Sequence, residues 1–139
     1  MMMKKKKSLI PLLALAACVS TAHAAWKVVA PLEANNGKWA LYMDDEGVQK
    51  EGQRVRLWTL YDLPTSQLTI KDKEIRSIRD QIELHCEKAT YSSMSSSYSD
   101  GPMGTGQVVL SLGTAPEEEV LPNTALATLA KMACPVTAR

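Results

Sequence analysis

The sequence has no phenylalanine, and its few tyrosines and tryptophans bring the aromatic content to only 5%. So sparse a supply does not favour a deep aromatic cofactor pocket, and no cofactor is assigned. Histidine occurs only as His23 and His85, and cysteine only as Cys18, Cys86 and Cys134. Cys86 and Cys134 lie 48 residues apart with no second ligand at zinc spacing beside either. His85 and Cys86 are neighbours on an expected strand, where adjacent side chains point to opposite faces, so they make a poor metal or nucleophile pair. Neither HExxH nor GxSxG is present. With no nucleophile placed beside a base, an enzyme is not expected.

Charge of one sign is also scarce. The chain carries 16 basic residues against 15 acidic ones, but four of the basic residues are Lys4, Lys5, Lys6 and Lys7. Removing those four leaves 12 against 15, a net charge of −3, which gives no reason to seek a phosphate backbone, so nucleic acid is not an expected partner. Long hydrophobic runs are missing as well. The longest, Leu9 to Val19, has 11 residues and contains Pro11, against the ~20 that a membrane-crossing helix needs. Gly101 to Gly106 is glycine-rich, but no Gly-Lys-Ser/Thr follows it. It reads as a turn requiring positive φ rather than as a phosphate cradle.

What is present, over 139 residues with 45% hydrophobic and 22% charged residues, suits a single globular domain behind an export signal. The four lysines, the apolar run and the small-residue end Ala22-His23-Ala24 form the three parts of a secretory signal peptide. This reading assigns residues 1–24 to the signal and 25–139 to the mature domain. A second route stays open, because Leu15-Ala16-Ala17-Cys18 is similar to a bacterial lipobox. That route would make residues 1–17 a lipoprotein signal and Cys18 the lipidated first residue, the sole expected link to a membrane. Either way Cys86 and Cys134 remain as a pair in an oxidising compartment, where a disulfide is the expected state.

From Trp26 the chain reads as short strands and then one helix. Strands are expected at Trp26 to Ala30, Lys38 to Met43, Gln53 to Leu63, Glu74 to Cys86, Ala89 to Tyr98 and Gln107 to Leu112, with Asn35-Asn36-Gly37 and Gly101 to Gly106 as turns. Asp44 to Gly52 reads as a loop around Val48, and Thr65 to Lys73 as a mixed connection with a Ser-Gln turn. The serine run Ser92 to Ser97 is taken as a strand of small residues, since Tyr91 and Tyr98 bracket it. Glu117-Glu118-Glu119 reads as a solvated loop favouring the N-terminus of the following helix, in preference to a calcium site.

Period two places Ile78, Ile82, Leu84 and Cys86 on one strand face, with Asp80 as the exception. Period 3.6 places Leu126, Leu129, Ala130, Ala133 and Cys134 on one helix stripe, capped by Pro122-Asn123-Thr124 and ended by Pro135. Both cysteines thus face the core, and their disulfide would staple the helix to the sheet. The expected architecture is α+β: an antiparallel β-sheet of about six strands with a C-terminal α-helix packed on it. Arg54, Arg56 and Trp58, with Arg79 from another strand, form a candidate protein-binding surface. The competing view makes them ordinary solvated positions paired with Glu83 or Asp80. The apolar residues Trp58 and Leu60 on that second face call for a cover, either a homodimer contact or the N-terminal strands.

The chain resembles the surface-adhesin protein E family of small exported bacterial proteins. The resemblance rests on Trp26, Tyr42-Met43-Asp44, Gly52 with Val55-Arg56-Leu57-Trp58, Glu83-Leu84-His85-Cys86, Val108-Val109 and Pro122 to Cys134. The stretch Tyr98-Ser99-Asp100-Gly101-Pro102-Met103-Gly104-Thr105-Gly106 between the two cysteines is its most specific part. Glu119-Val120 and Pro122-Asn123-Thr124 depart from the family pattern just before the helix. The resemblance implies an antiparallel sheet with a packed C-terminal helix, a periplasmic or outer-membrane location and, as in the founding adhesin, binding to host matrix or plasma proteins. The expected function is that of an exported non-catalytic binding protein. The alternative is a soluble periplasmic accessory or inhibitor protein acting on an envelope component.

Overall fold

A computed structural model describes Met3, residues 25–65 and residues 67–135. The signal segment apart from Met3, with Cys18 and the positions that decide between the two cleavage routes, and Ser66 of the Ser-Gln turn lie outside the described residues. The chain forms β1 (Trp26–Ala30), β2 (Ala40–Asp44), β3 (Gln49–Glu51), β4 (Arg54–Asp62), β5 (Thr69–Ile70), β6 (Lys73–Glu74), β7 (Ser77–His85), β8 (Thr90–Ser99), β9 (Val108–Leu112), β10 (Glu118–Glu119) and α1 (Ala125–Ala133).

Eight of the strands make one antiparallel sheet in the order β1-β2-β4-β7-β8-β10, with β3 on β4 and β9 on β8. Because β7 pairs with the whole length of β4, β2 and β3 share its other edge. In the same way β9 and β10 share the outer edge of β8. The sheet is therefore a six-position meander with a divided strand at two positions, and β5 and β6 form a separate hairpin.

The pleat sorts the side chains as alternation requires. On the inner face Val55 and Leu57 of β4 oppose Leu84 and Ile82 of β7, and Leu41 and Met43 of β2 complete a buried patch with Val29 and Ala30. Helix α1 closes this patch with Leu129 and Ala133, while Leu126, Ala130 and Cys134 pack at its margin. Each large aliphatic side chain buried this way contributes about 2 kcal/mol of hydrophobic free energy. Thr124 caps the helix, its Oγ1 accepting from the Ala127 N–H at 3.1 Å. Pro135 disfavours helical geometry at Cys134, whose backbone is extended.

Cys86 and Cys134 form the disulfide, with Cα atoms 5.9 Å apart and within the usual range for a bridge. The Cys86 N–H donates to the Gln53 carbonyl at 2.9 Å. That bond fixes the sheet end of the staple that holds α1 on the inner face.

Several local expectations need correction. Gln49–Glu51 is a strand rather than loop, because the free edge of β4 beyond β2 accepts it. The mixed connection contains the β5–β6 hairpin, which turns at Lys71 and Asp72, both with positive φ. Glu118–Glu119 is a strand on the edge of β8, and no acidic residue lies in the first turn of α1. The acidic run therefore serves pairing rather than the helix N-terminus.

The cover over Leu60 is also not what was expected. Leu60 is fully buried on the outer face, yet neither a second copy nor the N-terminal strands are needed to bury it. The 101–106 turn folds back over it, and a Cβ added to Gly104 would lie 3.6 Å from Leu60 Cδ1. Asp62 Oδ1 accepts from the Met103 N–H at 2.8 Å, and Ser77 Oγ accepts from the Gly104 N–H at 2.9 Å while donating to the Gly101 carbonyl at 2.6 Å. Gly104 and Gly106 have φ of 75° and 78°, the left-handed conformation that glycine adopts without steric cost.

Candidate binding surface

The four residues singled out from the sequence share the outer face of the sheet. Arg54, Arg56 and Trp58 have the same parity on β4, and the register sets them opposite His85, Glu83 and Gln81 of β7. Arg79 stands opposite Leu60, one pleat from Trp58, and its guanidinium carbon lies 4.3 Å from the Trp58 ring centroid. Such a stack covers part of the half-buried indole and keeps the cation in place without a carboxylate partner.

The expected pairings are realised only in part. Arg56 Nη2 bonds Glu83 Oε2 at 2.9 Å, with side-chain exposures of 43% and 14%. His85 Nε2 lies 3.7 Å from the other Glu83 oxygen. Asp80 is no partner for Arg79, because the pleat turns it to the inner face, where Ser93 and Ser96 hydrogen-bond it. Arg54 and Arg79 are exposed and form no ion pair among the described residues. The surface thus combines a flat aromatic ring, two uncompensated guanidinium groups and a third held by Glu83. Two small hydroxyls, Ser95 and Ser97 on β8, continue it.

Exposed guanidinium groups on the same face as an indole ring offer cation–π and charge-assisted hydrogen-bonding contacts. Guanidinium groups and indole rings are the groups that most often dominate protein–protein affinity. Among the described residues no cluster of three or more His, Cys, Asp or Glu side chains could hold a metal ion, and no helix is long and apolar enough to cross a membrane.

A second group of polar and aromatic residues lies on the inner face. Tyr61 packs edge-to-face with Trp39, ring centroids 5.5 Å apart, and burial followed by the nearby Asp80 charge raises its phenol pKa. Burial also raises the Asp80 carboxyl above the ordinary range, against the opposing pull of the Ser93 and Ser96 hydroxyls. Tyr91 donates to Glu118 Oε2 at 2.6 Å, and this bond, then burial, pushes its phenol up to about 12. The signal for this cluster was Asp80, a charge interrupting an otherwise apolar strand face.

A comparison with curated protein sequences gives no match. Among solved structures, crystal form II of Haemophilus influenzae protein E aligns with a TM-score of 0.56 at 18% identity, covering 77% of this chain and 86% of that one. Protein E from non-typeable Haemophilus influenzae aligns with a TM-score of 0.55 at 15% identity, covering 81% and 77%. At these identities the likeness speaks to the fold. The family described as surface-adhesin protein E matches residues 26–135, which spans both cysteines, the 101–106 turn and every strand of the sheet. The chain belongs to the surface-adhesin protein E family.

Proposed function

We propose that this adhesin-like surface protein is an exported, non-catalytic binding module that engages host matrix or plasma proteins through its outer sheet face. The observation that carries the reading is the Arg79–Trp58 stack, a pre-ordered cationic and aromatic pair on the sheet face that also carries exposed Arg54. A side chain already held in place loses little conformational freedom on binding, so more of its contact energy appears as affinity. The guanidinium groups favour partners with exposed carboxylates or sulfated groups, and at low salt they speed association. Export proceeds by cleavage after Ala24, leaving Ala25 as the first residue, with lipidation of Cys18 as the competing route.

The test is binding of purified processed protein to immobilised matrix and plasma proteins at physiological salt, together with adhesion of intact cells. Arg79→Gln and Arg54→Gln should each weaken binding by about threefold to tenfold, the loss expected of an interface cation below hot-spot strength. Absence of binding in both formats removes the adhesive reading. Protection of the protein from protease on intact cells would move the search to periplasmic partners.

A further inference from the structure

The inner face is only half covered by α1. Beside the helix two adjoining clefts of about 460 and 240 Å³ open over β7 and β8, sharing Tyr91 and Glu118 as a common wall. Trp39 and Tyr61 line the larger cleft, and Asp80 and Tyr98 the smaller. Neither lining contains a lysine or arginine among the described residues. A chain poor in aromatics has gathered four of them in one place, together with carboxylates that no cation neutralises.

The backbone is shaped to present one of those carboxylates. A bulge at Met94 interrupts the β7–β8 register, so that Ser93 opposes Ile82 while Ser95 opposes Gln81. In a regular strand Ser93 and Ser96 would face opposite ways, but the extra residue turns both hydroxyls to the inner face. Both donate to Asp80 Oδ1, at 2.5 and 3.1 Å. No protein group among the described residues donates to Oδ2, and no ion pair involves Asp80. A half-buried carboxylate held by two hydroxyls and left without a counter-ion incurs a desolvation cost that a bound cation would relieve. On the shared wall the Tyr91 hydroxyl fixes Glu118 in a similar way.

From this geometry we infer that the paired clefts bind an organic cation, an ammonium or guanidinium group on an alkyl chain, with Asp80 and Glu118 as counter-ions and the Tyr61, Tyr91 and Trp39 rings against the alkyl stem. Aromatic faces attract such cations, and carboxylates give them charge-assisted hydrogen bonds. An anionic ligand would meet two carboxylates and no compensating charge. The group arrives either on a free amine or on a basic side chain of a protein partner. The site lies on the opposite face from Arg54 and Arg79, so it stands or falls independently of the adhesive reading.

The experiment is titration of isotopically labelled processed protein with cadaverine and, separately, with an acetyl-Gly-Lys-Gly-amide peptide, followed by backbone amide shifts. Saturable shifts at Ser93, Ser96 and Tyr91 with either probe are expected, and the tighter probe identifies the source of the cation. Asp80→Asn and Glu118→Gln should each weaken binding by about tenfold, since each removes a charged acceptor. Arg54→Gln on the other face should leave it unchanged. Absence of saturable shifts with both probes overturns the inference, and so would undiminished binding in a folded Asp80→Asn/Glu118→Gln double variant.

Discussion

Cutting the Cys86–Cys134 bridge should cost a large share of the stability of the domain. The bridge closes a loop with a sequence separation of 48, and the chain-entropy relation for a loop of that length gives about 4 kcal/mol at 25 °C. That is a substantial part of the ~5–15 kcal/mol that holds a small domain together. The loop contains β8, β9, β10 and all of α1, so its release frees three of the eight strands and the helix in the unfolded ensemble. Urea unfolding of Cys86→Ser, Cys134→Ser and the double variant, monitored by tryptophan emission, measures the loss. All three should fall by the same amount, because breaking either end opens the same loop, and reduced wild-type protein should match them. Losses that add in the double variant would refute the pairing, and a single-variant loss below ~1 kcal/mol would refute the entropic estimate.

Gly106→Ala should destabilise the fold by more than about 2 kcal/mol, since its φ is 78° and the new Cβ would lie 2.7 Å from the Gly101 backbone nitrogen. Gly52→Ala, at φ 59° with open space around it, should cost only about 1 kcal/mol by the same denaturation assay. In a spectrophotometric alkaline titration Tyr91 should ionise near its raised value of about 12, and Glu118→Gln should bring it down. Because the phenol pKa is raised in the folded state, the stabilisation it brings is complete below the unfolded value and is lost as pH rises through the folded one. The Asp80 pKa is also raised, so its ionised form costs stability at neutral pH. Asp80→Asn should therefore be at least as stable as wild type at pH 7, with the advantage shrinking as pH falls through the folded pKa of Asp80.

Long periodic elements were readable from the chain because their own residues carry the pattern. Ile82, Leu84 and Cys86 alternate, and Leu126, Leu129 and Ala133 recur at helical spacing, so both halves of the disulfide could be turned toward one core. The two- and three-residue strands β3, β5, β6 and β10 were not readable. Gln49–Glu51 and Glu118–Glu119 are strands because β4 and β8 offer free edges, a property of the partner rather than of the segment. The common parity of Arg54, Arg56 and Trp58 was visible, but their meeting with Arg79 depends on the β4–β7 register. On the inner face the anomaly at Asp80 was visible. The Met94 bulge that brings Ser93 and Ser96 to it arises only from pairing with β7, and the gathering of dispersed tyrosines follows from tertiary packing.

The most direct test of the central claim is equilibrium binding of disulfide-intact processed protein, wild type and Arg54→Gln/Arg79→Gln, to immobilised matrix and plasma proteins at physiological salt. The account predicts saturable binding by wild type to at least one of them, weakened about tenfold or more in the folded double variant. Equal affinity in the two proteins, or no binding by wild type, would contradict the assignment of the outer face as the adhesive surface.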